Sequence, residues 1–310
     1  MVTENHLNPS DFILPVFVVE GKNKKEEIKS MPGYFRYSID LIINEIKECY
    51  ELGIKSILLF AKIEDNLKDN EGLEAINENG LMQRAIKTIK KEVPDIYLIS
   101  DIALDPYSKF GHDGIVNNYE IENDITIDLL AKMAISHAKS GVDMVAPSDM
   151  MDGRIKAIRK HLEKNSFYNV GIMSYSIKYA STFYGPFRNA LDSAPGFGDK
   201  KTYQMNPANS SEGILEVKND ITEGADIIMI KPGMPYLDMI RLVKDNFNIP
   251  ICAYQVSGEY AMIKSASQNG LIDFEEALME SLISFKRAGA NLITTYFAKE
   301  AITFLKNEKK

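Results

Sequence analysis

Two lysines in this chain stand where apolar runs end. In Ile227-Ile228-Met229-Ile230-Lys231-Pro232-Gly233, four apolar residues run into a lysine and a Pro-Gly pair stops the run. An unbroken apolar run bounded by turn residues suits a strand buried on both faces, as in a parallel sheet. Lys231 would then end that strand, with its stem among apolar neighbours and its amine at the rim. Burial disfavours an ammonium, so a lysine placed there can lose its proton and become a nucleophile. Lys178 follows shortly after a second apolar run, Val170 to Tyr175. On neighbouring strands each ammonium penalises the other, and one amine can attack a carbonyl to form a Schiff base. A single strand-end lysine more often snorkels to water or pairs with a carboxylate, so the pairing carries the weight of this reading.

The elements that must position these lysines are legible as an alternation. Strands are expected at Phe12–Val19, Ser56–Phe60, Tyr97–Ile102, Asp143–Pro147, Val170–Tyr175, Ile227–Ile230, Pro250–Val256 and Asn291–Tyr296. Amphipathic helical patterns lie between them at Ile39–Leu52, Asn77–Lys91, Glu122–Ser140, Ser211–Thr222, Pro235–Phe247, Ser257–Gln268 and Asp273–Ala288. Asp152 is the expected N-cap of one more, running to about Lys164. A final helix starts near Lys299 and carries a basic tail, and Gly21 to Tyr37 reads as a loop. About eight strand-helix units predict a single α/β domain over residues 1–310, a TIM (β/α)8 barrel, with a doubly wound open sheet as the alternative. In a barrel the strands' carboxyl ends form the active site. That mouth would gather Asp101, Asp105, Asp149, Asp152, Lys178, Lys231, Ser257 and Tyr296. A long polar stretch at residues 184–211, with basic and aromatic residues between Gly and Pro, reads as a lid that excludes water.

Composition limits the partners. With 36 Lys+Arg against 44 Asp+Glu, the chain has a formal charge of -8, which argues against nucleic acid or an anionic membrane as its main partner. No apolar stretch approaches membrane-spanning length, and the N-terminal residues are neither a signal nor a transit peptide. The only cysteines, Cys49 and Cys252, make neither a disulfide framework nor a metal cluster, which fits a reducing cytoplasm. Neither G-x-G-x-x-G nor G-x-x-x-x-G-K-[ST] occurs, so nothing supports dinucleotide or nucleoside-triphosphate binding.

The residues around both lysines carry a family resemblance. Met173 to Ser181, followed by Phe183-Tyr184-Gly185-Pro186-Phe187-Arg188, resembles the first signature of the porphobilinogen synthase (5-aminolevulinate dehydratase) family. Gly224 to Gly233 resembles its Schiff-base lysine segment. Ser30 to Gly33, Ala146 to Arg154, Lys201 to Met205 and Tyr254 to Tyr260 are similar to further family segments, so the likeness spans about Leu14 to Ala298. It implies condensation of two 5-aminolevulinate molecules to porphobilinogen with loss of two waters, on the route to tetrapyrroles. Lys231 would hold the first substrate as a Schiff base, and Lys178 would engage the second substrate's carbonyl. By the same resemblance Ser257 and Tyr296 would hold the first carboxylate, and Arg188, Lys200 and Gln204 the second. Lys200 stands where an arginine is expected, losing the planar fork but keeping the charge. Tyr184, Phe187, Asp101 and Asp149 would complete the substrate site. Taken alone, Ser257 reads as a helix cap and Tyr296 as a core aromatic.

Metal use and the N-terminus depart from the best-known members. Zinc-dependent relatives carry three cysteines after strand three, where this chain has Ala103, Asp105 and Asp113. Oxygen ligands and an alanine rule out a thiolate zinc site. Asp105 and Asp113 could hold Mg²⁺ through water, or no metal at all; Glu216 would bind an activating Mg²⁺ away from the centre. No organic cofactor is implied. His112, a lone histidine without partners at ligand spacing, is expected to be a hydrogen-bonder within the lid. Residues 1–11 read as the remnant of a basic arm that in relatives embraces a neighbouring subunit. A homo-oligomer built on a dimer is therefore expected, while the short arm calls hexamers or octamers into question. Another class I Schiff-base aldolase-type barrel would need one essential lysine and a phosphate site after strands seven and eight, where Gln255 to Tyr260 has a single glycine. A catalytically silent barrel would tolerate loss of either lysine.

Overall fold

The computed structural model describes residues 2–307; the basic end of the tail, Lys309 and Lys310, lies outside the described residues. Eight parallel strands close on themselves: β1 Phe12–Val19, β2 Ser56–Lys62, β3 Tyr97–Ile102, β4 Met144–Pro147, β5 Gly171–Lys178, β6 Ile227–Lys231, β7 Ile251–Gln255 and β8 Leu292–Thr295. Each pairs with the next, and β8 returns to β1 with Ile293 opposite Phe12, which makes a closed (β/α)8 barrel. All eight residues of β1 are buried, as expected for a strand covered on both faces. Pro15 is tolerated inside it because β1 leaves β8 after Ile13 and meets the short strand Phe35–Tyr37 only at Phe17, so on that side no ladder bond asks for its missing N–H.

Helices α1 Ile39–Leu52, α2 Leu81–Glu92, α3 Asn123–Ser140 and α4 Arg154–Lys164 follow the first four strands. A short α5 Gly185–Leu191 and then α6 Ser211–Glu223 follow β5. α7 Leu237–Asn246, α8 Ser257–Gln268, α9 Phe274–Ala288 and α10 Ala298–Asn307 complete the outer layer. Gly53 ends α1 at φ 116° and donates to the Cys49 carbonyl, a left-handed stop that only glycine takes without strain.

Several boundaries differ from the sequence expectation. The stretch after β1 is not all loop: Lys25–Glu27 and Phe35–Tyr37 form an antiparallel pair appended to the barrel. The second helix begins at Leu81, because Leu73–Ile76 is a separate 3-10 turn. Asp152 does not cap α4. Gly153, at φ 80°, holds that position, and the Asp152 N–H is bound by Asn123. Lys178 is the last residue of β5 rather than beyond it, and Lys231 ends β6 as expected, since the ladder continues to their own register pair. The stretch after β5 contains the helix α5, whose seven residues start at Gly185-Pro186 and carry no polar/apolar period strong enough to announce it.

Beneath the mouth, β5, α4 and α6 are fastened by a buried ion pair. Arg154 Nη1 donates to Asp220 at 3.0 Å and Nη2 to the Ser174 hydroxyl at 3.3 Å, which itself donates to Asp220 at 2.6 Å. Arg154 and Asp220 are almost fully buried. Removing one partner strands the other charge without water, so Asp220→Ala is expected to lower the unfolding free energy by roughly 3–5 kcal/mol. Urea denaturation followed by circular dichroism measures it; a loss under about 1 kcal/mol, the range of a solvated pair, would contradict this account.

Candidate active site

Lys178 and Lys231 are directly opposite one another in the parallel β5–β6 ladder and are each only 5 % exposed. Their surroundings differ. The Lys231 amine makes no ion pair among the described residues and is enclosed by rings: Phe187 and Tyr254 at 4.8 Å, Tyr184 at 5.0 Å and Tyr175 at 5.2 Å. Burial first, and then the like charge of Lys178, push its pKa down to about 7, against the opposing pull of Asp101, Asp105 and Asp113. The Lys178 amine donates to the Ser148 carbonyl and lies 3.5 Å from Asp113. One amine is thus prepared to lose its proton beside another that is bound to an oxygen cluster.

That cluster comes from the β3 end and the loop after it. Asp101 is the fifth residue of β3, and Asp105 and Asp113 follow in the loop; all three are buried. Lys200 reaches them from the covering segment, with Nζ at 2.9 Å from Asp113 and 3.4 Å from Asp105. Burial raises the Asp105 carboxyl, with Lys200 working against it. Burial also works against the Asp113 charge, but Lys178 and Lys200 together outweigh it and leave its pKa lowered. Asp101 is pushed up to about 7, by burial and then by Asp105, and its Oδ1 has no protein partner. Asp149 adjoins this cluster from below: it is fully buried, feels the Asp113 charge, accepts from the Met151 N–H at 2.7 Å and lies 3.9 Å from Arg154, so it links the mouth to the buried network under it.

The segment between β5 and α6 covers this mouth. Its two ends are tied together, Met205 N–H to the Lys178 carbonyl and Ala180 N–H to the Met205 carbonyl. Between them the chain crosses to the short strand after β1, the end of β2 and the loop after β3, through Arg36 to the Ala190 carbonyl, Lys62 to Asp192, and Gly196 to the Phe110 carbonyl. His112 binds the Phe197 carbonyl at 3.1 Å and the Tyr203 hydroxyl at 3.0 Å, the hydrogen-bonding place expected for it. Ser257 accepts from the Phe187 N–H at 2.9 Å and faces the Phe183 carbonyl at 3.4 Å. The segment sits so close there that a Cβ on Gly258 would come within 2.5 Å of the Phe183 oxygen. The Tyr184 hydroxyl donates to the Lys231 carbonyl, and Tyr296 shares a hydrogen bond with Tyr254. Arg188 makes no side-chain hydrogen bond or ion pair among the described residues, and Gln204, buried, has an unpartnered Oε1.

Sequence reasoning named both lysines but missed Tyr175 and Tyr254, which wall the Lys231 amine, and the Ser148 carbonyl beneath Lys178. The alternation in Met173-Ser174-Tyr175-Ser176 and in Cys252-Ala253-Tyr254 was the available signal, since inward-facing residues recur every second position. Glu216 lies on α6, half-buried, at the wall of a cavity of about 900 Å³ that Asp152 and Glu212 also line. Burial raises its pKa to about 7. Among the described residues no three His, Cys, Asp or Glu side chains form a metal cage.

A closed parallel barrel with two buried lysines in register at its mouth defines an α/β-barrel enzyme equipped for amine chemistry on carbonyls. The profile of the family described as Delta-aminolevulinic acid dehydratase matches residues 1–304. The chain is 53 % identical to the delta-aminolevulinic acid dehydratase of Methanothermus sociabilis, over 97 % of this chain and 93 % of that protein. It is 50 % identical to that of Bradyrhizobium diazoefficiens, over 99 % and 88 %. The crystal structure of delta-aminolevulinic acid dehydratase (porphobilinogen synthase) from Toxoplasma gondii, in complex with the reaction product porphobilinogen, superposes with a TM-score of 0.97 at 47 % identity, covering 99 % of this chain and 88 % of that one. This chain belongs to the delta-aminolevulinic acid dehydratase family.

The electrostatics of the lysine pair set a pH dependence. A neutral amine is the nucleophile, so the rate of imine formation with a keto acid should rise with pH through a midpoint near 7. In Lys178→Met the like charge is gone, and the midpoint should move upward. Borohydride quenching across pH 5.5–9.5 reads both profiles; a midpoint that stays put in Lys178→Met means that Lys178 does not depress it.

Proposed function

We propose that this chain condenses two molecules of 5-aminolevulinate asymmetrically to porphobilinogen, with loss of two waters, in tetrapyrrole biosynthesis. What carries the reading is the pair of register-matched, buried lysines beneath a covering segment, in a chain about half identical to relatives named for that reaction. Lys231, as the neutral amine, adds to the ketone of the first substrate; water leaves and an imine joins Lys231 to that carbon. Lys178 engages the carbonyl of the second substrate. Asp101, buried near both amines, is suited to take and return the protons that these dehydrations move. Ser257 and Tyr296 hold the first substrate's carboxylate, the former by turning its hydroxyl from the segment it now binds. Arg188, with a free guanidinium, Lys200 and the Nε2 group of Gln204, as donor, hold the second. Tyr184 and Phe187 close over the reacting carbons, and residues 184–211 act as the lid that keeps water out.

Asp105 and Asp113 do not fit a catalytic Mg²⁺. Both already accept from the Lys200 ammonium, and the alanine beside them offers no ligand, so no step is routed through a metal there. Glu216 does fit one. A single carboxylate, burdened by burial and by its neighbours Asp220, Asp152 and Glu212, can hold a largely hydrated Mg²⁺. Bound there, the ion would relieve the crowded negative charge on α6 and so favour the closed arrangement. The assembly is a homo-oligomer built on a dimer, and the enzyme works in the cytoplasm; no helix among the described residues is long and apolar enough to cross a membrane.

A colorimetric porphobilinogen assay tests the reading. Purified protein should form product from 5-aminolevulinate alone, and borohydride with substrate should modify Lys231. Lys231→Met should lose the modification and at least about 10³-fold of the activity, the scale for removing a covalent catalytic group. Modification that survives Lys231→Met would refute the assignment. Activity should persist in chelator, rise on adding Mg²⁺, and lose that rise in Glu216→Gln. Light scattering that returned a strict monomer at micromolar protein would overturn the assembly.

A further inference from the structure

Glu259 is the third residue of α8 and is completely buried, yet no Lys, Arg or His lies within ion-pair distance of it among the described residues. Main-chain N–H groups take its oxygens instead. Oε2 accepts from Val256, the residue between β7 and Ser257, while Oε1 accepts from Met234 at 2.6 Å, and the Gly233 N–H contributes as well. One carboxylate thus ties the turn leaving β6, immediately after Lys231-Pro232, to the turn leaving β7. The contact is tight on both sides. A Cβ on Gly233 would come within 2.5 Å of the Phe285 ring and 3.0 Å of the Tyr254 carbonyl, so that turn has nowhere to go except against β7.

Lys231 depends on such ties more than an ordinary lysine does. Its amine has no ion-pair partner to fix it, so its position is set by its main chain and by the rings around it. On the β5 side its carbonyl is held by the Tyr179 N–H and the Tyr184 hydroxyl, both at 3.0 Å. On the β7 side Glu259 is the group that holds the turn. By fixing Val256, Glu259 also sets Ser257, which binds the Phe187 N–H and so places a ring 4.8 Å from the Lys231 amine.

We propose that Glu259 is a positioning residue for Lys231, a carboxylate strap between the β6 and β7 exits that holds the reactive amine where it meets the first substrate's carbonyl. The proposal rests on the assignment of Lys231 as the imine-forming lysine. Glu259→Gln replaces one acceptor oxygen with a donor that faces an N–H, breaking the strap on one side. Glu259→Asp keeps a carboxyl group at the helix N-terminus, and so the cap of α8, but is one methylene short of spanning both turns.

Single-turnover borohydride trapping with 5-aminolevulinate distinguishes strap from cap. Both variants should form the Lys231 imine at least about ten-fold more slowly than the parent, since a misplacement of about 1 Å can cost up to 10²-fold. Steady-state kcat should fall in step, with KM nearly unchanged. The Asp variant, which keeps the cap of α8, should lose less in melting temperature than the Gln variant, and it carries the test if the Gln variant fails to fold. An Asp variant that traps at the parental rate overturns the proposal, as does a loss in either variant that matches its smaller folded fraction. If the parent protein itself traps nothing, the assignment of Lys231 has failed and not the strap.

Discussion

Withdrawing the Lys231 amine from water without giving it a carboxylate is the constraint around which the mouth of this barrel is built. A buried ammonium is costly unless paired, and the ordinary response is to lose the proton. Four aromatic rings close round Lys231. Rings attract a cation, but far more weakly than an ion pair in the same place would, so they do not restore the charge that burial removes. The neighbouring Lys178 adds a like charge through the register of two parallel strands. If the carboxylates after β3 reached Lys231 as they reach Lys178 and Lys200, they would hold it protonated and inert.

The oxygen cluster is arranged accordingly. Three buried carboxylates in one place would repel. Here Lys200 lies between Asp105 and Asp113, and Lys178 stands beside Asp113. The chain supplies its own counter-charge from the segment that covers the mouth. In the role proposed for it, Lys200 would release the two aspartates on turning to a substrate carboxylate, and opening of the segment would expose the same two charges. Substrate binding and closure would then share one ion-pair network rather than two separate contacts.

Much of this arrangement was legible in the sequence because parallel strands announce themselves. Runs such as Ile227-Ile228-Met229-Ile230 permit few other structures, and alternation with amphipathic helices narrows them to a parallel α/β fold, a closed barrel or a doubly wound open sheet. The lysines were legible for the same reason, since a charge at the end of such a run must surface at the strand's exit. The helix α5, the Gly153 cap of α4 and the short strands after β1 were not. Each is brief, and each is stabilised by contacts far away in sequence, such as Arg36 to the Ala190 carbonyl. The partnership of Lys200 with Asp105 and Asp113 was hidden too, because a family position read as a carboxylate binder says nothing of what the side chain binds before substrate arrives.

Glu259 shows where reading by residue type stops. In sequence it is a glutamate in the first turn of a helix, a pattern met on countless surfaces and explained by capping alone. Only burial separates it from those. An exposed first-turn glutamate has water as an alternative partner, so its loss costs a few tenths of a kcal/mol to about one. A fully buried one has only the N–H groups that face it, and each of those has only the carboxylate. Because these donors belong to two different strand exits, the cap is also a tie across the barrel mouth. The geometry of the lysine is then maintained by main-chain hydrogen bonds rather than by a side-chain partner, which is how an amine can be fixed in place and still be left without a counter-charge.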